Sequence, residues 1–567
     1  MRALAASTVL AIVCAPSVAG AFCGFYVGDQ EDKKLFADAT EVVLMRSGIR
    51  TVLSMQNAYS GPPEGFAMVI PVPVVLKKEN VKTLKKDVFD RVDKLASPRL
   101  VEYWEQDPCP PPDPGCGPCP KGSICGCGFG GGHASYGIGS AHTSVRIESQ
   151  FDVGEYEIVV LSASDSMGLD TWLRDNHYAI PSGAEPYLRP YVQQGMKFFV
   201  AKVDSAKVRM ENGHAKLSPL RFYYDTETFH LPVRLGLINS QGSQDLIVNI
   251  LGRSQRYDVS NYENVAVPTN IDVDDSTRSQ FGAFYTKLFE QTLAKHPRAV
   301  VTEYSWQATT CDPCPTQPLT MAEIMTLGAD VAPSMQPPPQ QPAVVFGGGT
   351  GAPPPPPPPS RRQWMGGGSD FVLTRLHVRY TKDALGDDLF LRAAPPIVGG
   401  REFVTGAGGK LEEGAQPSGT NNYQARYVIR HPWAGAIACA HPQRGVWGGQ
   451  PGAPWGGPKT SAAAGLGLAK SGNLQLAALV KGTLPGETFL SAAVPTPVLA
   501  IPQVGGGDAG VLDVDASAPI TNDAGPPGPP PEQPKGGCAG CAVGGEGASS
   551  AALGVLALAL LRRKRRS

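Results

Sequence analysis

Along the first part of the chain the apolar positions come in short runs. Glu41-Val42-Val43-Leu44-Met45-Arg46 and Arg50-Thr51-Val52-Leu53-Ser54-Met55 are each strand-length, and Ser47-Gly48 between them is a hairpin-type break. A third run, 66–76, contains Pro71 and Pro73. Proline cannot donate to a ladder, so this run is expected at a sheet edge or across a bulge. The period then changes: Val81, Leu84, Val88, Val92 and Leu95 recur at helical spacing and predict a helix over 81–95. Strand-type runs return at 143–148, 156–161, 198–203, 231–237 and 246–251, with a short helix at 169–176 and an amphipathic helix over about 280–295. Helices standing singly between several strands predict an α+β, β-rich mixed domain over 22–310.

One stretch is echoed. Ser97-Pro98-Arg99-Leu100-Val101-Glu102-Tyr103-Trp104 follows the first helix, and His296-Pro297-Arg298 leading to Glu303-Tyr304-Ser305-Trp306 follows the last. The match is short and gapped, and fits either an ancestral helix–strand unit or one device used twice. Past 310 the pattern breaks into a linker over 311–369, with Cys311-Asp312-Pro313-Cys314 and seven prolines from Pro353 to Pro359. Polyproline makes a stiff, solvated spacer, with a ligand for proline-reading modules as the alternative. Order resumes at 371–380, where apolar and polar residues alternate, and at 423–430. With Cys439 and Trp447 these strands form either a small β unit over 370–447 or an extension of the first domain. Residues 448–537 are again a Gly/Ala/Pro-rich linker.

Composition locates this division. The 567 residues include 66 Gly and 54 Pro, about 21 % of the chain against roughly 12 % in an average protein, so one compact domain is excluded. The excess lies mainly outside 22–107 and 143–307. Charged residues are 18 % and the net charge is −1, which excludes a strongly basic nucleic-acid binder and a highly charged disordered chain.

The two ends carry addresses. Met1-Arg2, an apolar stretch from Ala3 to Val18 and Ala19-Gly20-Ala21 form a signal-peptide pattern over 1–21, with signal peptidase expected to cut after Ala21. Acylation of Cys23 is the alternative, and Phe22 stands where that reading needs a small residue. At the other end come Cys538 and Cys541, a charge-free apolar stretch over 548–561 and Arg562-Arg563-Lys564-Arg565-Arg566. An apolar transmembrane-type helix stopped by cations orients them to the cytoplasm. It is short of the roughly 20 residues of a permanent span. The tail at 538–567 resembles the myxobacterial C-terminal sorting signal (MYXO-CTERM). That resemblance implies a C-terminal sorting peptidase, processing at Cys538 or Cys541, transient membrane contact through the helix, and a place at the cell surface or outer membrane. A plain C-terminal anchor is the other reading. Loss of both ends takes the net charge from −1 to about −6, so the mature ectodomain is mildly acidic, a further argument against polyanion binding.

Candidate chemistry centres on cysteine. Outside the two ends stand Cys23, Cys109, Cys116, Cys119, Cys125, Cys127, Cys311, Cys314 and Cys439, an odd number. In an exported chain these read first as disulfides. The expected pairs are Cys23 with Cys439, local pairs within 109–127, and Cys311 with Cys314. Cys116-Gly117-Pro118-Cys119 matches a thioredoxin-type core, but prolines on both sides keep it from opening a helix. Cys116, Cys119, Cys125, Cys127 and His133 offer enough soft ligands for a zinc site, at irregular spacing. Gly126 to Gly131 satisfies G-x-G-x-x-G without the strand and helix that give the motif meaning. Asp272-Val273-Asp274-Asp275-Ser276 starts like a calcium loop, but Thr277 and Ala283 stand where Gly and Glu are needed. His177, His230 and His296 read as surface or core residues. No cofactor motif and no hydrolase signature occurs.

Several runs together carry a family resemblance: Ala21-Phe22-Cys23-Gly24-Phe25-Tyr26-Val27, the stretch from Val43 to Tyr59, Phe66 to Pro73, Leu100-Val101-Glu102-Tyr103-Trp104, Leu231 to Leu237, and Asn261-Tyr262 with Pro268-Thr269-Asn270. They resemble an exported bacterial family, domain of unknown function 2330, over roughly 22–310 and on to about 450. The resemblance implies an address and a fold but no activity, and it assigns no catalytic or cofactor-binding residue. The leading expectation is a disulfide-stabilised surface protein that acts by binding or as a structural envelope component. An extracytoplasmic hydrolase with an unrecognised site is the alternative.

Overall fold

The computed structural model describes residues 25–27, 36–60, 67–109, 145–332 and 371–495, apart from short stretches within the last two ranges. The signal peptide with Ala21, Cys23, the five zinc candidates Cys116, Cys119, Cys125, Cys127 and His133, then His177, Cys311, Cys314, and the tail with Cys538 and Cys541 lie outside the described residues.

Strands Phe36–Ser47 and Arg50–Ser60 form the expected hairpin, and Gly48 takes the left-handed conformation (φ 58°) at its turn. They sit inside a twelve-stranded sheet. Gln244–Arg253 runs parallel to Phe36–Ser47 on its far side, Phe371–Tyr380 antiparallel to Gln244–Arg253, and Val300–Gln307 antiparallel to Phe371–Tyr380. Residues 371–380 are therefore an interior strand of the main sheet. A five-stranded antiparallel sheet, ordered Phe25–Val27, Ala67–Val72, Lys197–Val203, Tyr156–Ala163, Val145–Val153, packs on one face of the larger one.

Alternation explains the packing. Met68, Ile70 and Val72 join Val42, Leu44, Val248 and Ile250 in the core between the sheets, whereas Ala67 and Val69 face outward. Leu169, Leu173, Leu188 and Tyr191, from helices Ser166–Asp175 and Glu185–Gln193, cover that outer side. On the far face of the large sheet lie helix Lys86–Ala96, through Val88, Phe89, Val92 and Leu95, and helix Phe281–Lys295, through Phe281, Phe284, Leu288 and Phe289. The architecture is β-rich α+β, with two packed sheets and helices outside each.

Several boundaries differ from the sequence reading. The first helix starts at Lys86, because Val81–Thr83 is a short strand whose Val81 pairs with Phe222. The run at 231–237 keeps only the two-residue strand His230–Leu231 and turns into a 3-10 segment at Arg234–Asn239. Residues 423–430 split into Asn422–Gln424 in the large sheet and Arg426–His431 in a separate sheet beside Arg99–Glu105. Ala67–Val72 has neighbours on both sides over Ala67 to Val69, and the proline-bearing end runs past the three-residue Phe25–Val27. Among the described residues Pro71 pairs with Phe198 on one side, and its missing N–H makes no demand on the other.

Candidate functional site

Between the footprints of the two helices the large sheet carries charge. Strand Phe371–Tyr380 puts Leu376, Val378 and Tyr380 into the inter-sheet core, and Arg375, His377 and Arg379 on the helix side. Such alternation ordinarily marks a solvent face. Here helix Phe281–Lys295 covers it, leaving Arg375 1 % and His377 2 % exposed. On the neighbouring strand the register shifts between Thr302 and Tyr304, so Glu303 is an extra, bulged residue. Bulges re-aim side chains. Glu303 reaches the helix side, where its carboxylate accepts from Arg375 Nε (2.6 Å) and Tyr285 Oη (2.5 Å) and faces His377 Nδ1 (2.7 Å).

The network continues in both directions. His377 Nε2 lies 3.0 Å from Asp245 Oδ1, and Arg379 donates two bonds to Asp245 at 2.6 and 2.9 Å. Arg375 Nη1 donates to Asp93 of helix Lys86–Ala96 at 2.7 Å, so the band ties both helices to the sheet. Phe289 closes it, stacked on His377 at 4.0 Å and under the Arg379 guanidinium at 5.0 Å. Burial pushes the Glu303 carboxyl up, but His377 and Arg375 outweigh it and bring it to about 2. Burial opposes the His377 charge, and Glu303 and Asp245 raise its pKa regardless. Three carboxylates, Glu303, Asp245 and Asp93, thus meet three cations, Arg375, Arg379 and His377. Both imidazole nitrogens are engaged by carboxylates, which leaves neither as a lone pair for base or ligand chemistry.

Glu41 differs. It stands opposite Gln56 on one side and Ile247 on the other, half-buried, and accepts one bond from Asn249 Nδ2 at 2.8 Å. Burial drives its carboxyl up to about 8, and Asp93 adds to the shift, so it holds its proton at neutral pH. On the same face Ser54 Oγ, Gln56 Oε1 and Asn249 Oδ1 are buried without a hydrogen-bond partner.

The echoed stretch forms a second hub. Glu102, on Arg99–Glu105, accepts two bonds from Arg278 at 2.8 Å each and faces His431 Nε2 at 3.0 Å. The Arg278 bonds, with His431 behind them, hold it at about 2 against burial. Glu102 and Glu303 therefore stand at matching places of the echo, and each collects one arginine and one histidine. Three residues on, Glu105 accepts from the backbone N–H of Trp433 (2.9 Å) and of Gly445 (2.8 Å) and from Arg444, closing the base of loop 433–445. The Cys109–Cys439 disulfide pins that loop in its middle. This corrects the expected pairing of Cys439 with Cys23 and of Cys109 within 109–127. Arg99–Glu105 and Arg426–His431 run parallel, so the chain leaves both at the same end of their sheet and the two cysteines meet there.

The model of the DUF2330 family, described as an uncharacterized protein conserved in bacteria, matches residues 17–392. The chain belongs to the DUF2330 family. No curated protein and no solved structure matches it. The matched span holds the whole charge band and Glu41, whereas loop 433–445 and Cys439 lie beyond it. The disulfide therefore fastens the DUF2330 span to the segment that follows.

The remaining sequence candidates have structural places. Asp274 caps the 3-10 turn Asp275–Gln280 by accepting from Ser276 N at 2.9 Å, and Asp272 pairs with Arg430 at 3.2 Å. His230 is buried against Phe390, and His296 lies between Glu263 and Glu487. Among the described residues no cluster of three or more His, Cys, Asp or Glu is placed to hold a metal ion, and no helix is long and apolar enough to cross a membrane. Sequence reasoning missed the charge band. Its available signals were the basic residues at 375, 377 and 379 on one strand face and the glutamate shared by the two echoed stretches.

Proposed function

We propose that this DUF2330 protein is exported, held at the cell surface through its C-terminal tail, and acts there as a binding or structural component of the envelope. The observation that carries this reading is the closure of the charge band. Its acids, bases and imidazole are matched to one another and sealed by Tyr285 and Phe289, so they brace two helices against the sheet rather than facing a substrate. The Cys109–Cys439 bond supports the address, because such bonds persist in oxidising compartments. The leader ending at Ala21 and the MYXO-CTERM-like tail with Cys538 and Cys541 support it from the sequence, with a signal peptidase and a sorting peptidase as processing partners.

Cell fractionation with mass spectrometry of the mature termini tests the proposal. The expected product begins at Phe22, lacks Arg562 to Arg566 and is found at the surface. Surface protein that keeps those arginines would indicate a plain anchor, and reduced protein retained in the cytoplasm would overturn export. Glu41 favours the second reading, a hydrolase, because a half-buried carboxyl pushed up to about 8 and surrounded by unpartnered polar oxygens is a recurrent catalytic device. A hydrolytic activity of the purified protein that Glu41→Gln abolishes without unfolding would establish it.

A further inference from the structure

The ten residues 77–86 contain five lysines, Lys77, Lys78, Lys82, Lys85 and Lys86, against one acid, Glu79, in a chain of net charge −1. All five are exposed. The segment is held rigidly beneath them: Leu76, Val81 and Leu84 are buried, Val81–Thr83 pairs with strand Leu220–Asp225, and Leu84 N donates to Pro219 O at 2.7 Å. Lys82 and Lys86 have ion-pair partners, Asp330 at 2.8 Å and Asp90 at 2.6 Å. Lys77, Lys78 and Lys85 make no ion pair among the described residues.

The helix start beside these lysines is weakly capped, with Asp87 as the acid of its first turn. Helix Lys86–Ala96 opens with Lys85 at its N-cap, without a side-chain cap, and Lys86 as its first residue. Helix N-termini favour Ser, Thr, Asp or Asn there, and the macrodipole disfavours cations. A rigidly held segment that leaves Lys77, Lys78 and Lys85 exposed and without an ion pair among the described residues, beside the paired Lys82 and Lys86, fits a negatively charged partner.

We propose that this lysine face docks on the anionic phosphate headgroups of a lipid surface. The choice of lipid over a soluble polyanion rests on the tail reading above, which keeps the domain beside a membrane, where weak attraction suffices to orient it. Three unpaired lysines correspond to about a hundred-fold preference for an anionic over a neutral surface, falling steeply with salt.

The test uses full-length protein on vesicles of phosphatidylcholine alone or mixed with phosphatidylglycerol, with lysine reactivity read residue by residue by amine labelling and mass spectrometry. Lys77, Lys78 and Lys85 should be protected on the anionic vesicles only and released by high salt, while Lys202, Lys287 and Lys481 react equally on both. The triple variant K77Q/K78Q/K85Q should leave both vesicle types equivalent for the remaining patch lysines, and K202Q/K287Q/K481Q should behave as wild type. Equal labelling on the two vesicle types, or protection by dextran sulfate but not by anionic vesicles, overturns the proposal. Failure to associate with neutral vesicles strikes the tail reading instead. Co-sedimentation of wild type and the triple variant with anionic vesicles then decides the patch by itself.

Discussion

Replacing Glu41 by glutamine should stabilise the protein, and by an amount that depends on pH. The folded carboxyl titrates near 8 against an ordinary 4.5, so between these values the folded state holds a proton that the unfolded chain releases. Stability linked to this group is complete below pH 4.5 and is lost as pH rises toward and through 8. At neutral pH about 2.5 units separate the solution from the unfolded pKa, which at 1.36 kcal/mol per unit is a deficit of about 3 kcal/mol. The glutamine side chain cannot ionise. It still accepts from Asn249, and its amide can donate toward the unpartnered oxygens of Ser54, Gln56 or Asn249. Urea denaturation followed by tryptophan fluorescence should show the variant about 3 kcal/mol more stable near pH 7 and equal to wild type near pH 4. Parallel pH profiles, or a variant destabilised by the same amount at every pH, would refute the reasoning, because either shows that Glu41 titrates normally in the folded protein.

Glu303→Gln should have the opposite sign. It leaves Arg375 and His377 facing a neutral amide inside the protein, with an expected loss of about 3–5 kcal/mol in the same assay. The Glu303 pKa is depressed, so its contribution is present above pH 4.5 and is lost as pH falls toward 2; the variant and wild type should converge on acidification. Phe289→Ala removes the ring over His377 and should cost about 3–5 kcal/mol, with faster hydrogen exchange in helix Phe281–Lys295. Cys439→Ala opens a cross-link between residues 330 apart and should lower stability by about 2–5 kcal/mol, and dithiothreitol should destabilise wild type by more than it does the variant. Asp388→Ala strips the acceptor from Tyr191 Oη and from the N–H groups of Val233 and Arg234, and should lose about 3 kcal/mol together with amide protection at 233–234.

The elements with a clear period were legible in the sequence. The hairpin around Gly48 and helix Phe281–Lys295 needed only their own residues, and the α+β class followed from them. What failed was whatever depends on a distant partner. Val81 reads as the first residue of a helix until Phe222 pairs with it as a strand. Helix Glu185–Gln193 was not predicted; it carries Pro186 in its first turn, where the missing N–H is no loss, and Pro190 further in. The alternation of Phe371–Tyr380 is visible, yet nothing in those ten residues tells that Phe289 will cover His377 and Arg379. Cys439 had eight possible partners by sequence, and only the parallel pairing of Arg99–Glu105 with Arg426–His431 selects Cys109.

That bond also sets the path that force takes through the protein. Residues 109–439, with most of the large sheet, form a closed covalent ring, so a pull between strand Arg99–Glu105 and the C-terminal end of the chain bypasses them. Load first peels Thr488–Ser491 from Asn264–Ala266, then Lys459–Ala462 and Trp447–Gly448 from Arg99–Glu105. It then stops at the sulfur–sulfur bond. A domain held by its C-terminal end can surrender these few strands as slack under drag, and once Thr488–Ser491 is released the ring 109–439 is bypassed.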